Sequence, residues 1–500
     1  MKLEIGCGPR KIDSSFIGVD KYNFPGVDIV VDLEEASLPL PTNSVDEINA
    51  LHVFEHINNY LPLIEELWRV LKPGAKMTVK VPHYKHECAY TDPTHVHFFT
   101  SKSFNFFDKS KVLFKETGWF LSIARFHILD RQETEREIIY CLEAKKNKVL
   151  FIAPPDSIHT ARWKNSLLHY GYQVDVASRS LKGIANIALG DSNELDRLNR
   201  FKNIPENLRK ETTLSNYDVV HAHFATCYGH SLLAVPDFIK KVLSVWGEDV
   251  LDEALHGPDM KKRLIDSLEA ADHITVTSEH MRAVLTDKYS VQRQKIWVIP
   301  WGHRKIFKRE EQSLNIFEKF GLSPGVPIIT SGRVCRKQNN IESIVDAFME
   351  ADINAQLLVM TGKISDQLYL SQLKAKTSQN PKIIYIDNVN EEDLLQIYNI
   401  SEAIISIPDV DQLSTTIIES LACGTPVICS DIEVYHERIV HGKNGCFINS
   451  RNKEQLQKAL RYFSEGNAKK AMRNFAMQSV KGDSWEDNVK KLMSVYDAPK

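Results

Sequence analysis

Glycine and acidic residues in the first 32 positions are spaced as in a nucleotide-binding turn. The stretch KLEIGCGPRK places Gly6 and Gly8 directly after apolar residues that predict a strand. Glycine there lets the backbone approach a ligand closely, and a following helix can direct N–H groups at it. The next predicted strand ends at Asp20, whose carboxylate can accept both hydroxyls of a ribose, and a third ends at Asp32. The pattern predicts a nucleoside held over strand ends; a tight turn with capping acids is the structural alternative.

A second pair of acids, Asp411 and Glu419, lies eight positions apart in DQLSTTIIES, a run of hydroxyl and apolar side chains. Taken alone, such a pair is typical of two solvated acids around a core helix. Other polar groups follow predicted strands: the cations Arg333, Arg336 and Lys337 in SGRVCRKQNN, and His221 and His223 in YDVVHAHF. The cations could stabilise an anionic leaving group, although a basic surface turn is their structural alternative.

The elements that must position these residues alternate along the chain. About a dozen short apolar runs, such as KVLFIAPP, PIITSG and EAIISIP, predict buried strands. Amphipathic stretches between them, for example residues 60–71 and 341–351, have apolar residues three and four apart. Strand and helix in alternation predict parallel α/β layers, and a dozen strands exceed one doubly wound sheet. We place boundaries in the charged stretch ETEREIIYCLEAKKNK and near residues 305–324, which predicts three Rossmann-like layers at 1–145, 147–310 and 311–490.

Composition narrows the functional classes. The 500 residues include 62 basic and 65 acidic side chains, so the overall charge gives no reason to expect a nucleic-acid partner. Eight cysteines occur without a CxxC pair, which predicts neither a disulfide framework nor a zinc module and fits a reducing cytosol. No basic and apolar leader and no apolar run of about 18 residues is present, so a cytoplasmic chain is expected.

The N-terminal motifs resemble those of class I S-adenosylmethionine-dependent methyltransferases over residues 1 to about 110. Besides LEIGCGPR and GVD, the segments VVDL, LPLPTNSVDEINALHVFEHI and EELWRVLKPGAKMTVKVP carry this resemblance. It implies S-adenosylmethionine as the cofactor, with Glu4, Gly6 and Gly8 at its methionine end, Asp20 at its ribose and Asp32 beside its adenine. A dinucleotide oxidoreductase is less favoured, because Lys11 stands where G-x-G-x-x-G requires its third glycine.

Histidines gather where the methyl acceptor would enter. The segment HYKHECAYTDPTHVHFF contains six polar candidates, His83, His86, Cys88, Asp92, His95 and His97. We predict an acceptor site around His83, His95 and His97 with one of them as general base, because a neutral imidazole can take a hydroxyl proton near pH 7. Bound zinc and ordinary loop histidines are the alternatives.

The motif HVFEH spells the inverted metalloprotease signature H-x-x-E-H. It follows a predicted strand, in a position where methyltransferases carry a similar Glu-His pair, so proteolysis is not favoured. No residue is assigned as a metal ligand, and whether His52, Glu55 and His56 hold a divalent ion stays open.

From Lys148 to the final predicted helix SWEDNVKKLMSVY, the chain resembles family 4 glycosyltransferases of the two-domain GT-B type. The motifs that carry the resemblance are SIHTARW, VVHAHFA, SVWGEDV, TVTSEHM, IPWG, SGR and ESLACGTPV. The family's E-x7-E motif corresponds here to a D-x7-E variant, with Asp411 in place of the first glutamate and Glu419 as the second. The final helix is expected to pack on the N-terminal lobe.

The same resemblance implies the roles of the site residues toward a nucleotide-diphosphate sugar. Glu419 would bind the donor ribose and Asp411 would face the donor sugar. The diphosphate would contact Ser414, Thr415, Thr416, Arg333 and either Arg336 or Lys337. His223, or less favourably His221, would touch the sugar. The family retains anomeric configuration, and no metal is strictly required when cations and helix N–H groups hold the phosphates.

Together these patterns predict a bifunctional glycan-modifying enzyme. It would transfer a sugar to a saccharide or lipid-linked acceptor and methylate a hydroxyl of a related acceptor, in the cytoplasm or at the inner face of the membrane. The competing hypotheses are a first domain that only docks or binds a nucleoside, and a C-terminal sugar-nucleotide sensor. The donor sugar and base, the acceptor, the methylated atom and the oligomeric state are not readable from the sequence.

Overall fold

A computed structural model describes residues 1–190, 201–251, 257–310, 315–362, 366–387, 389–468 and 470–500. The chain forms two compact units. The first contains Met1–Leu243, Ala270–His273 and Val489–Lys500, and the second contains Ser244–Glu269 and Ile274–Asn488. The division falls within two strands, β12 (Lys240–Ser244) and β13 (His273–Val276). Each unit is α/β, as the alternating pattern predicts.

The first unit begins with a seven-stranded sheet. Its strands are β1 (Lys2–Ile5), β2 (Ile17–Asp20), β3 (Ile29–Val30), β4 (Val45–Leu51), β5 (Leu71–Pro82), β6 (Phe126–Glu133) and β7 (Glu137–Ala144). The order is β3-β2-β1-β4-β5-β7-β6, with β1 parallel to both β2 and β4. The strand order therefore reverses at β1, and a crevice at the carboxyl ends of β1 and β4 is where such sheets bind ligands. The helices are Tyr60–Val70, Cys88–Thr91 and Trp119–Leu121.

The charged stretch ETEREIIYCLEAKKNK, in which we place the first boundary, contains β7. This strand pairs antiparallel with both β5 and β6. Its alternate residues Ile138, Tyr140, Leu142 and Ala144 are buried, while the residues between them are half-buried. Glu137 and Glu143 lie on the half-buried face and charged residues flank the strand, so its composition does not mark it as a strand.

A second sheet in the first unit follows directly. It contains β8 (Lys148–Ile152), β9 (Gln173–Ser178), β10 (Ile187–Ala188), β11 (Val219–His223) and β12, in the order β10-β9-β8-β11-β12. The apolar residues of β8 and all five residues of β11 are buried, as expected for strands covered on both faces. The helices are Ile158–His169 and Ile204–Glu211, and Ser157 caps the first by accepting from Thr160 N–H.

The end of the chain packs within this first unit. The last helix runs from Trp485 to Asp497, and its Tyr496 hydroxyl lies 2.8 Å from His221 Nδ1. Asp497 is buried beside Arg125, whose Nε lies 2.8 Å from Asp497 Oδ2. Trp68 Nε1 also donates to Lys145 O at 3.0 Å. Polar contacts therefore join the first sheet's elements to the chain terminus.

The second unit contains the strand pair β13 and β14 (Ile296–Val298) and a six-stranded sheet. That sheet comprises β15 (Ile328–Ser331), β16 (Gln356–Met360), β17 (Ile383–Ile386), β18 (Ser401–Ser406), β19 (Val427–Ser430) and β20 (Gly445–Ile448). All its pairs are parallel, in the order β17-β16-β15-β18-β19-β20. Ile404 and Ile405 enter different apolar clusters, so both faces are covered.

Helices flank these strands in the second unit. They are Glu248–Leu251, Pro258–Ala270, Glu279–Tyr289, Asn315–Phe320, Ile341–Glu350, Gln367–Thr377, Glu391–Ile400, Thr415–Ala422, Lys453–Ser464 and Lys470–Ser479. The strand order of the six-stranded sheet reverses at β15, which pairs with both β16 and β18. The carboxyl ends of β15 and β18 therefore flank the crevice where a ligand of this sheet is expected.

Candidate functional site

Arg333 and Asp411 meet at the crevice of the six-stranded sheet. Arg333 follows the end of β15 and Asp411 follows the end of β18. Arg333 Nη1 donates to Asp411 Oδ2 at 2.5 Å, and Nη2 donates to Oδ1 at 3.3 Å. The two side chains are only 20% and 14% exposed, so this is a largely desolvated, two-point ion pair. Burial alone would lower the pKa of Arg333, but the Asp411 carboxylate outweighs burial and the pKa is raised.

A buried tyrosine completes this array. The Tyr435 hydroxyl donates to Asp411 Oδ2 at 2.6 Å. Burial, followed by the negative charge of Asp411, raises the pKa of Tyr435 well above its ordinary value, so the phenol stays protonated and remains a donor. Sequence reasoning missed Tyr435, since it lies 24 positions after Asp411 and no local motif marks it. The carboxylate is thus fixed by two donors from different elements.

The helix Thr415–Ala422 begins beside this ion pair. Ser414 is its N-cap residue, and Ser414 Oγ is buried without a hydrogen-bond partner among the described residues. Thr416 Oγ1 donates to Gly332 O at 3.3 Å, which ties the helix start to the residue before Arg333. A methyl group at Gly332 would lie 2.6 Å from Thr416 Cγ2, so only glycine permits this approach. Thr415 is half-buried at the first helical position, and N–H groups there lack intrahelical partners.

Glu419 lies one turn further along the same helix and is 4% exposed. The Tyr398 hydroxyl, from the helix Glu391–Ile400, lies 3.4 Å from Glu419 Oε2. Burial, then the charge of Glu419, raises the pKa of Tyr398 well above its ordinary value. Asp411 thus lies four residues before the helix and Glu419 lies one turn into it. Each carboxylate is within hydrogen-bond distance of a tyrosine hydroxyl.

Gln412 anchors the loop between Asp411 and the helix. Its Oε1 accepts from Thr277 Oγ1 at 2.8 Å and lies 3.4 Å from Ser278 Oγ. Gly247 packs so closely on the Gln412 side chain that a methyl group there would overlap it. The sequence carried no signal for this anchor beyond its place next to Asp411. The loop is therefore held by residues more than 130 positions away.

The remaining predicted cations differ in exposure. Lys337 begins the short 3-10 turn Lys337–Asn339 and is exposed, while Arg336 before it is half-buried. Arg333 is the cation whose contact with Asp411 the structure defines. The choice between Arg336 and Lys337 as the second cation remains a prediction.

His221 and His223, the histidines predicted to touch the donor sugar, lie on β11 of the first unit's second sheet. His223 ends β11 and is fully buried, with its ring centroid 4.8 Å from that of Phe151 and 4.5 Å from that of His221. Burial and nearby His159 lower the pKa of His223 to about 3. Burial and Arg162 lower the pKa of His159 to about 4. His223 is therefore a neutral imidazole near pH 7 and can act through hydrogen bonds but not as a cation.

The lowered pKa values of His159 and His223 predict how the free energy of unfolding depends on pH. Their folded pKa values lie below the unfolded value of about 6.5, so the unfolded chain binds more protons, and the free energy of unfolding falls as pH drops below about 6.5. The loss per histidine is about 1.4 kcal/mol per pH unit until its folded pKa is reached. Urea unfolding measured near neutral pH and about two pH units lower should show this fall in the free energy of unfolding. His223→Gln should reduce the dependence of the free energy of unfolding on pH, whereas the exposed His169→Gln should not. An unchanged dependence in His223→Gln would contradict the lowered pKa of His223.

The glycine turn of the first sheet lies at the reversal point of its strand order. Gly6 and Gly8 have φ values of +65° and +58°. A methyl group at Gly6 would lie 2.7 Å from Val53 Cγ2, whereas at Gly8 it would meet no atom within 4 Å. Gly8 N–H donates to Asp20 Oδ2 at 2.9 Å, which brings the turn and the end of β2 together. The turn therefore leaves space beside the backbone of Gly8 and next to a carboxylate.

Acids border this turn on both sides. Asp20 Oδ1 also accepts from Tyr22 N–H at 3.0 Å, and its side chain is partly exposed. Glu4 is 4% exposed and accepts from Ile12 N–H at 3.0 and 3.2 Å, which closes the loop after the turn. Asp32 follows β3 and caps the 3-10 turn Leu33–Glu35 by accepting from Glu34 N–H. Open space beside Gly8 and a half-exposed carboxylate at Asp20 fit an adenosyl cofactor.

Of the three histidines predicted at the acceptor site, His83 contacts other protein groups through both of its ring nitrogens. Its Nδ1 accepts from Lys85 N–H at 3.1 Å and its Nε2 lies 2.9 Å from Glu133 Oε1. His97 Nε2 donates to Asn58 O at 3.0 Å. His95 borders a cavity of about 650 Å³, together with His52, Cys88, Asp92, Arg136 and Glu137 among others. Among the three predicted residues, His95 is thus the one that lines this cavity.

Comparisons with known proteins agree with this architecture. Residues 11–79 match the family of methyltransferase domains, residues 148–278 match the glycosyl transferase 4-like family, and residues 312–479 match the glycosyl transferases of group 1. One segment of the chain thus matches methyltransferase domains and two segments match glycosyltransferase domains, in an α/β fold with several Rossmann-like layers.

Individual relatives resemble the glycosyltransferase part. An uncharacterised glycosyltransferase of Methanocaldococcus jannaschii is 22% identical over 305 residues, which cover 57% of this chain and 76% of that protein. The O-antigen chain mannosyltransferase of Salmonella typhimurium is 23% identical over 197 residues, which cover 39% of this chain and 52% of that protein. The chain thus spans only about half the length of the second relative.

Solved structures share the fold. A glycosyltransferase from Rickettsia africae has a TM-score of 0.57 and 20% identity, over 70% of this chain and 98% of that one. Anabaena HepE in complex with UDP and glucose has a TM-score of 0.57 and 12% identity, over 69% of this chain and 98% of that one. Among the described residues, no helix is both long and apolar enough to cross a bilayer.

Proposed function

We propose that the C-terminal two thirds of the chain transfers a sugar from a nucleotide-diphosphate donor, with retention, to a saccharide or lipid-linked acceptor. The observation that carries the proposal is the Arg333–Asp411–Tyr435 array beside the start of the helix Thr415–Ala422. A guanidinium and free helix N–H groups at one crevice suit a diphosphate, whose negative charge grows as the sugar leaves. The solved complex of Anabaena HepE with UDP and glucose shares this fold.

The residues of the array and their neighbours have distinct roles toward the donor. Arg333 binds the diphosphate, aided by Arg336 or Lys337, by Ser414 Oγ and by the hydroxyls and N–H groups of Thr415 and Thr416. Glu419 accepts hydrogen bonds from the donor ribose, and Asp411 faces the sugar, held in one orientation by Tyr435. His223 stays a predicted site residue, and as a neutral imidazole it can form hydrogen bonds but carries no charge.

Donor turnover tests this function directly. We expect the chain to bind a nucleotide sugar and to release the nucleoside diphosphate slowly even without an acceptor. With a saccharide acceptor, NMR should show a product with the anomeric configuration of the donor. Donor binding without transfer or hydrolysis would instead favour a sugar-nucleotide sensor, and an inverted product would contradict the retaining mechanism.

We also propose that the first domain methylates a hydroxyl of a related acceptor with S-adenosylmethionine. S-adenosylmethionine supplies the methyl group; Gly6 and Gly8 bring the backbone close to it, Glu4 shapes the turn, Asp20 binds the ribose and Asp32 lies on the adenine side. The acceptor would enter the cavity beside His95, and a neutral imidazole there can take the hydroxyl proton.

Asp20→Asn should weaken S-adenosylmethionine binding about 10- to 100-fold, since a hydrogen bond to a charged group contributes about 1.5–3 kcal/mol. Asparagine keeps an oxygen for Gly8 N–H, so the turn itself should persist. Calorimetric titration of the full chain measures the affinity, with the exposed Asp130→Asn on β6 as a matched control. Absence of binding to the unchanged chain would favour a docking domain.

A further inference from the structure

Three side chains with metal-ligating atoms lie close together in the first domain, and one of them lines its cavity. They are Glu55, His56 and His95, and one ligand atom of each lies within 4.8 Å of the others. Glu55 and His56 belong to the 3-10 turn Phe54–His56 after β4, while His95 follows the helix Cys88–Thr91. The two imidazole rings have centroids 4.7 Å apart. The set differs from the motif H-x-x-E-H, because His95 replaces His52.

The backbone fixes this arrangement. Val96 N–H and His97 N–H both point to Glu55 O, at 2.8 and 3.3 Å. These bonds hold the segment that carries His95 against the turn that carries Glu55. The ligand set therefore joins two parts of the chain that are 40 positions apart and that backbone hydrogen bonds hold together.

Glu55 supplies an unpaired buried oxygen. Its residue is 1% exposed; Oε1 lies 3.1 Å from His52 Nδ1, whereas Oε2 is buried with no hydrogen-bond partner among the described residues. His52 Nε2 is itself 3.1 Å from Glu137 Oε1, so His52 is occupied by two carboxylates. Leaving a buried carboxylate oxygen without a partner costs free energy, and a bound cation would remove that cost.

In His56 and His95 the contacts at Nδ1 place the proton on that nitrogen, so Nε2 carries the lone pair that can bind a metal ion. His95 Nδ1 lies 3.1 Å from Ala89 O, and since a carbonyl only accepts, Nδ1 carries the proton. His56 Nδ1 lies 2.8 Å from Thr94 Oγ1, which gives its single hydrogen to Asp92 Oδ1 at 2.6 Å. Thr94 must therefore accept from His56 Nδ1–H. Protonated Nδ1 atoms held by a carbonyl and by a hydroxyl-carboxylate chain are the usual outer contacts of metal-binding histidines.

We infer that Glu55 Oε2, His56 Nε2 and His95 Nε2 bind one divalent first-row transition-metal ion. Two imidazoles and one carboxylate suit zinc, manganese, iron or cobalt, and disfavour magnesium and calcium, which prefer all-oxygen ligands. Three protein ligands leave a position open, as in catalytic rather than structural sites. His95 lines the cavity, which provides room for a water or an acceptor oxygen at that position.

This site has a role in methylation that rests on the function proposed above. An acceptor hydroxyl bound to the ion would lose its proton more readily, because a bound cation lowers the pKa of an oxygen ligand. His95 would then hold the ion in place of the general-base role given to it above, and the hydroxyl proton would pass to the carboxylate of Asp92, which lines the same cavity. Binding of the ion itself does not depend on whether methyl transfer occurs.

Cobalt titration of the full chain tests the site without cofactor or acceptor. After removal of metal with a chelator, Co²⁺ alone is added and its visible absorption is followed, with Zn²⁺ as a competitor. We expect one ion per chain, displaced by zinc, and affinity at least about tenfold weaker in His95→Gln and Glu55→Gln. Thr94→Val, which removes the positioning contact of His56, should weaken binding about tenfold while thermal unfolding stays cooperative.

His97→Gln is the matched control, since His97 lies two residues from His95 and bonds to Asn58 O instead. It should bind cobalt as the unchanged chain does. The inference is overturned if the unchanged chain binds no cobalt, if His95→Gln binds it equally well, or if the spectrum shows thiolate coordination, which would place the ion at cysteines. Because methyl transfer is not measured, failure of the proposed methylation leaves this result interpretable.

Discussion

Replacing Arg333 with methionine is expected to lower kcat/KM for glycosyl transfer about 10²- to 10³-fold. Removing one preorganised donor to developing negative charge typically costs this much. Arg333 is largely desolvated and contacts Asp411 at two points, so its charge acts in a poorly screened environment. Arg333→Lys should recover only part of the loss, because an ammonium cannot bind at two points in one plane. Release of nucleoside diphosphate under steady-state conditions provides the measurement.

Arg451→Met is the matched control for this variant. Arg451 lies in the same unit, is 83% exposed and contacts Asp409 at 3.4 Å. Its removal should change kcat/KM by less than about twofold, as surface ion pairs contribute little. If Arg333→Met retained activity within a few-fold of the unchanged chain, Arg333 would be a structural partner of Asp411 and not a diphosphate ligand.

Asp497→Ala should lower the free energy of unfolding by about 3–5 kcal/mol, because it leaves the buried Arg125 guanidinium without its carboxylate. Arg125 is 1% exposed, and Asp497 also accepts from Lys109 Nζ at 2.5 Å. Burial alone would raise the pKa of Asp497, but Arg125 and Lys109 outweigh it and hold the pKa at about 2. This stabilisation is therefore present above the unfolded pKa of about 3.8 and is lost as pH falls toward 2.

Two variants separate ion pairing from simple packing at this position. Glu206→Ala removes an exposed pair with Lys210 and should leave the free energy of unfolding nearly unchanged. Arg125→Met combined with Asp497→Leu should recover much of the loss, since buried pairs can be replaced by apolar residues of similar volume. Urea unfolding near neutral pH measures all three. A loss below about 1 kcal/mol in Asp497→Ala would show that the pair contributes little.

The fold was largely predictable because its strands are short apolar runs with helical periodicity between them. Runs such as PIITSG and EAIISIP correspond to β15 and β18. Sequence analysis did not identify β7, because charged residues flank this antiparallel strand. Pairing with β5 and β6 is a tertiary effect that the composition of the segment does not contain.

The candidate sites were predictable only as far as local motifs reach. Asp411, Glu419 and Arg333 could be named because they lie in motifs that carry the family resemblance, and their roles stay predictions. Tyr435 and Gln412 could not, since their contacts come from residues far apart in sequence. Likewise, HVFEH drew attention to Glu55 and His56, but His95 joins them through backbone contacts that the sequence does not reveal.

The central claim is that the chain holds two separate nucleotide-binding crevices, one at β1 and one at β15. Calorimetric titration of S-adenosylmethionine and of a nucleotide sugar into the same full-length protein tests it most directly, using the unchanged chain, Asp20→Asn and Arg333→Met. We predict that each variant loses affinity for its own ligand by at least about tenfold and binds the other as before. A chain that binds neither ligand, or a variant that weakens both equally, would contradict the claim.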